Sequence, residues 1–185
     1  MTDSLPADAQ EIDSPAKPSA VRLTAHLCGL VRNHDLGALA DLRRIHAISQ
    51  ARLLVASYAP TEADREVYER VAFLFARYHA GKTRPSTGWG SIGNALGLIG
   101  APGHRGPKNP GTTRLLDRIT TSRDIPWRHL QHAVERARAA DTPPPEWVRL
   151  TDNLTAWHKS KREVAYRWAR DFYTPAPHTA NGATR

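Results

Sequence analysis

A chain of 185 residues with 26 Lys and Arg against 18 Asp and Glu, a formal net charge of +8, is long enough to bury a sizeable core. Its single cysteine, Cys28, excludes an internal disulfide framework and any four-cysteine zinc site, and reads as a small core residue. No apolar run approaches the roughly 20 residues needed to span a bilayer, and Met1–Pro18 lacks the apolar stretch of a secretory signal, so no membrane partner and a cytoplasmic location are expected.

The charge is unevenly placed. Residues 1–18 hold Asp3, Asp8, Glu11 and Asp13 against Lys17, a net −3, which leaves +11 on residues 19–185. A body this basic favours phosphate backbones, anionic membranes or acidic proteins. The segments 1–18 and 174–185, rich in Pro, Ala, Thr, Asp and Asn, are expected to be disordered tails.

Between the tails the periodicity is helical, with almost no strand alternation. Val21, Ala25, Cys28 and Val31 predict a helix ending near Asn33. Asp35 is placed to cap a second over Leu36–Arg44, and Gln50–Tyr58 forms a third. Pro60 and Thr61 open a longer helix to about His79, with Val67, Val71, Leu74, Phe75 and Tyr78 on one face and Gly81 beyond its end.

Residues 81–111 differ in kind. They contain nine of the twelve glycines, four prolines and no acid, and Lys82, Arg84, Arg105 and Lys108 give them +4. A short helix over Ser91–Ile99 can interrupt them. The segment is either a solvated linker between helical lobes or a loop that grips phosphates, and the two are compatible.

Helices then return. Thr112 or Thr113 can cap one through Leu115, Leu116 and Ile119. Asp124 can cap the next, with Pro126 in its first turn and Trp127, Leu130, Val134 and Ala137 buried. Pro143–Pro145 break the chain. Trp147, Leu150, Leu154 and Trp157 form another stripe, and a last helix runs from about Lys159 to Phe172 on Val164, Trp168 and Phe172. The aromatic residues fall at core spacing and read as packing. The expected fold is therefore all-α: two small helical-bundle lobes, residues 19–80 and 112–173, joined by the Gly/Pro-rich basic segment 81–111.

Catalytic patterns do not survive inspection. Gly88 to Gly93 matches G-x-G-x-x-G, but no strand precedes it and no βαβ unit surrounds it. Gly106-Pro107-Lys108-Asn109 lacks a P-loop ending. His129 and His132 share a helix face without a neighbouring acid or cysteine and read as surface histidines. The carboxylates are scattered, without the pairing that metal-dependent nucleases need. Neither enzymatic activity nor a cofactor or metal is expected.

Six segments, in unbroken order over about residues 20–173, carry a family resemblance. Gly37-Ala38-Leu39-Ala40-Asp41-Leu42-Arg43-Arg44 resembles a G-x-x-A-x-L-R-R signature, and Val71–Ala76 with His79 is similar to the helix that follows it. Ser91-Ile92-Gly93-Asn94-Ala95-Leu96 resembles an S-L-G-x-A-L turn. Leu116–Pro126 with His129, Leu130, Ala133 and Val134 resembles L-L-x-A-D-R-x-D-L-P-x-H-L-x-x-A-V. Pro145, Trp147 and Leu150 resemble the start of the next helix, and Trp168–Tyr173 match W-A-R-D-F-Y. The family is CasB, the small subunit of the CRISPR type I-E Cascade complex. Thr121-Ser122 departs from its Ala-Asp, and residues 100–111 are longer and richer in Gly and Pro than the pattern.

The resemblance implies a non-catalytic, two-lobed helical subunit present as two copies. Its implied partners are guide RNA, target DNA, the displaced DNA strand, the backbone and large subunits, and a second copy of itself. It puts Arg43, Arg44, Arg123, Lys161 and Arg162 at the family's basic positions. Lys82, Arg84, Arg105 and Lys108 join the candidate nucleic-acid-binding set from charge and loop composition. Each of these cations has an alternative use in a surface ion pair or in plain solvation, such as Arg43 with Asp41 or Asp35. Two other functions fit the composition: a free-standing helical DNA-binding regulator, with a helix-turn-helix over Thr112–Ala140, and a purely structural adaptor.

Overall fold

The computed structural model describes residues 18–174, and apart from Pro18 and Thr174 the two tails lie outside the described residues. Within that span the chain is helical, in the order α1 (Ser19–Arg32), α2 (Leu36–Leu42), α3 (Gln50–Ala56), α4 (Arg65–Tyr78), α5 (Ile92–Gly97), α6 (Pro110–Thr121), α7 (Trp127–Ala139), α8 (Trp147–Thr155) and α9 (Trp157–Tyr173). Single 3-10 turns precede α4 at Glu62–Asp64 and α6 at Gly106–Lys108.

Helix α4 is the axis of the molecule. Val67, Tyr68, Val71 to Ala76 and Tyr78 are all buried, so the helix is covered on nearly every side, by α1, α2 and α3 and by α7 and α8. A helix apolar around most of its circumference has to sit inside its neighbours. Helix α1 also packs on α8, and one continuous hydrophobic cluster runs from Leu23 to Phe172. The helical regions before and after 81–111 therefore share a core, with Phe75 of α4 and Trp147 of α8 meeting at 5.3 Å between ring centroids.

The glycine-rich segment is tied down where it passes α8. Backbone hydrogen bonds run from Trp89 N–H to the Pro144 carbonyl (2.9 Å), from Glu146 N–H to Gly90 (3.0 Å) and from Trp147 N–H to Thr87 (3.1 Å). Gly88 has φ +84°, and a Cβ there would lie 2.0 Å from the Pro145 carbonyl oxygen. Gly93 on α5 faces α9 so closely that a Cβ would sit 1.9 Å from the Trp168 carbonyl oxygen. The G-x-G-x-x-G match thus has a packing cause: its glycines let two backbones approach. A solvated linker is the wrong description of residues 86–91, whereas residues 101–105 are exposed.

Three caps follow local chemistry. Asp35 Oδ1 accepts from Ala38 N–H at 2.9 Å, Ser49 Oγ accepts from Arg52 N–H, and Ser91 with Asn94 closes a reciprocal capping box on α5. Two starts differ from the sequence expectation. Asn109, not Thr112 or Thr113, caps α6, because Pro110 is accommodated at the first helical position. Pro126 stands at the N-cap of α7 without a side-chain bond, so Asp124 does not cap it.

Candidate nucleic-acid interface

The cations singled out by sequence separate into used and unused charges. Arg44 pairs with Asp41, and Lys82 bonds Asp141 at 3.1 Å while lying over the Tyr78 ring. Arg105 donates Nε–H to the Gly100 carbonyl at 2.9 Å, fastening its own loop. Arg43, Arg84, Lys108, Arg123 and Arg162 have no ion-pair partner among the described residues.

One contact links two stretches of the set. Lys161 Nζ, at the start of α9, points to the Thr121 carbonyl at 3.5 Å, with Arg162 next to it and Arg123 just beyond the end of α6. The last turn of α6 also carries Arg118. Unsatisfied carbonyls and the negative end of the helix dipole draw cations to such a terminus. Arg43 and Arg44 sit at the end of α2, which packs on α1, α3 and α4, so they belong to another part of the surface.

A further basic feature shows in the sequence only as the His129–His132 face. Helices α6 and α7 pack together, and a cleft of about 590 Å³ opens along them, lined by Arg118, Arg128, His129, Gln131, His132 and Glu135. A second cleft, about 230 Å³, lies between α4 and α7 and shares Arg128 and Gln131. Its wall holds Arg70, whose guanidinium stands 5.7 Å from the Trp127 ring centroid. The two clefts make one guanidinium-lined track across α7. Arg114 and Arg118, and Arg128 and His132, are spaced by four residues in the sequence, a signal for shared faces. Only the packing of α6 on α7 makes those faces meet.

One carboxylate interrupts the track. Burial raises the pKa of Glu135, but hydrogen bonds from Gln131 and Arg77, with the charges of Arg77 and His132, outweigh it and hold the carboxyl below its usual range. Arg77 Nε donates to Glu135 Oε1 at 2.9 Å and Gln131 Nε2 to the same oxygen at 3.0 Å. Of Arg128, Gln131 and Glu135, the residues a base-reading helix would present, Gln131 and Glu135 are therefore bound to each other and Arg128 alone is left. This weakens the helix-turn-helix alternative, since a reader must offer free amides or guanidiniums to base edges.

The site can hold phosphates electrostatically, and nothing in it is arranged as a nucleophile with its base. Among the described residues no group of three or more His, Cys, Asp or Glu could hold a metal ion, and no helix is long and apolar enough to cross a membrane.

An all-α body with guanidiniums along two joined clefts, Arg118 and Arg128 without an ion-pair partner among the described residues and Arg70 paired with Glu66 at 3.4 Å, defines a class of basic helical proteins. Over residues 38–173 the sequence matches the family described as CRISPR-associated protein Cse2, and the chain belongs to that family. Among solved structures it is similar to a chain of a CRISPR RNA-guided surveillance complex, at 25% identity and a TM-score of 0.65, covering 84% of this chain and 90% of that one. CasB from Thermobifida fusca shares the fold, with 16% identity, a TM-score of 0.69, and 83% and 95% of the two chains covered. No curated protein matches the sequence.

Proposed function

We propose that the chain is the non-catalytic small subunit of a Cascade-type RNA-guided DNA-recognition complex in cytoplasmic antiviral defence. In this reading it holds nucleic-acid backbone, stabilising guide RNA–target pairing and the displaced DNA strand. The observation that carries it is the track of Arg70, Arg118 and Arg128 on a member of this family. Exchange of a DNA duplex for an RNA–DNA heteroduplex is nearly balanced energetically, so contacts to phosphates can tip it without catalysis and without base specificity.

The protein partners, namely the backbone and large subunits and a second copy, are supported by a different face. Leu36, Ile48, Leu53 and Leu54 are exposed around α2 and α3, beside a groove of about 400 Å³ that Asp35 and Asp41 help line. Apolar side chains gathered this way mark protein contact surfaces. Arg43 and Arg44 end the same α2, so in the assembled complex they lie near the edge of that contact.

The test is co-expression with the other subunits and a guide RNA. The chain should co-purify with the complex, and complexes lacking it should load guide RNA but open target duplex poorly. Failure to co-purify, or unchanged target opening without the chain, contradicts the proposal.

A further inference from the structure

The aromatic residues of α9 divide into two sets. Trp157, Trp168 and Phe172 are fully buried, whereas Tyr166 is 69% exposed and Tyr173 50% exposed. Beyond the kink at Ser160, Arg162, Tyr166, Arg170 and Tyr173 follow at spacings of four, four and three, which places them in one stripe opposite the Val164–Trp168–Phe172 face. Both arginines of the stripe are exposed, and Glu163 at its edge is the single acid between Lys161 and Arg170. Asp171 accepts hydrogen bonds from Arg170 at 3.2 Å and Arg149 at 3.1 Å. That anchors the Arg170 guanidinium between the two tyrosines.

We infer that this stripe is a stacking platform for unpaired bases of a single-stranded nucleic acid, with Tyr166 and Tyr173 taking bases, Arg170 the phosphate between them and Arg162 a phosphate on the far side of Tyr166. The inference rests on the proposed nucleic-acid role and adds a strand preference to it. Exposed aromatic rings alternating with cations are what a sequence-tolerant single-strand site requires. Seven residues of helix separate the two rings by about 10 Å along the axis, more than the roughly 3.4 Å between stacked bases of a duplex strand. Only a strand with splayed bases can use both rings, so a duplex gains nothing from them.

The decisive comparison uses the full chain and three probes of equal length: a single-stranded homopolymer, a duplex, and an abasic strand that keeps the phosphates. Tyr166→Ala with Tyr173→Ala should weaken single-strand binding about tenfold or more and leave duplex affinity, abasic affinity and salt dependence unchanged. Phe at both positions should preserve single-strand affinity. Wild-type salt-dependent binding with no difference between the Ala variant and wild type overturns the platform while leaving the phosphate-binding role intact. Equal losses on all three probes, or loss only of assembly with protein partners, also overturn it. No binding of any probe by the wild-type chain contradicts both proposals.

Discussion

His79 Nε2 accepts the backbone N–H of Ser86 at 2.9 Å, and this contact fixes the protonation of a buried histidine. An N–H can only donate, so Nε2 carries the lone pair and Nδ1–H donates to the Phe75 carbonyl at 2.9 Å. The ring stacks on Phe75 at 3.9 Å, and the Ser86 carbonyl in turn accepts from Trp147 Nε1 at 2.9 Å. One neutral imidazole thus joins α4, the glycine-rich segment and α8.

That arrangement predicts a pH dependence. Burial foremost, with the Lys82 charge adding to it, lowers the His79 pKa to about 4. Its folded value lies below the unfolded value near 6.5, so the unfolded chain binds more protons between those pH values and stability rises with pH there. The contribution is complete above about pH 6.5 and is lost progressively toward pH 4, on the order of 3 kcal/mol. Urea unfolding should give a lower midpoint at pH 4.5 than at pH 7.5. His79→Phe should be destabilised by about 1–3 kcal/mol at pH 7.5, because Ser86 N–H loses its partner, and should lose much of the midpoint difference. An identical pH dependence in wild type and variant would show that His79 is not the titrating group.

Gly93→Ala should be among the most damaging small substitutions. The new methyl meets backbone, the Trp168 carbonyl, so α5 and α9 must separate and their shared core must loosen. A loss of about 2 kcal/mol or more is expected. Gly29→Ala, with open space around the added carbon, serves as the control and should be neutral or slightly stabilising. Thermal unfolding of the two variants checks both.

Proteolysis should select one short stretch. Residues 101–105 are exposed, while Gly106 is buried and its carbonyl accepts from Thr112 Oγ1 at 3.2 Å. Brief trypsin treatment should cut after Arg105 sooner than after Arg114 or Arg118, since cleavage requires locally open backbone. First cleavage inside α6 would contradict the packing described for its start.

The all-helical fold was legible because apolar residues recur at three and four along most of the chain, and because Asp35 and Ser91 announce helix starts. Residues 86–90 were not legible. Their partner, 144–147, lies more than fifty residues away, and nothing in a Gly/Pro-rich composition distinguishes a pinned strap from a free loop. Of the site, the cations themselves were visible but not their neighbours. Arg44 and Lys82 turn out to be paired, whereas Arg118 and Arg128 gain their importance from the packing of α6 on α7. The tyrosines of α9 were hidden by Trp168 and Phe172, whose core spacing described the helix as a whole.

Lys161 and Arg162 provide a graded test of the surface at the end of α6. Changing both to Ala should flatten the log–log salt dependence of single-strand binding by about one unit or more, given roughly 0.7 per phosphate contact. The effect should be the same for unrelated sequences, because phosphates carry no base identity. Lys161 also faces the Thr121 carbonyl, so circular dichroism and the unfolding midpoint are measured alongside. An unchanged slope in a folded variant leaves these two charges as ordinary solvation and helix-end contacts.

The role proposed for the track across α6, α4 and α7 is to hold nucleic-acid backbone. The most direct measurement is the salt dependence of binding for Arg70→Ala, Arg118→Ala and Arg128→Ala combined, compared with wild type on single-stranded DNA. The expected result is a slope lower by about two units, equal losses for unrelated sequences, and a folded variant whose unfolding midpoint falls only slightly, because Arg70 loses its pair with Glu66 and its place over Trp127 while Arg118 and Arg128 have no ion-pair partner among the described residues. A folded triple variant with the wild-type slope would contradict that role.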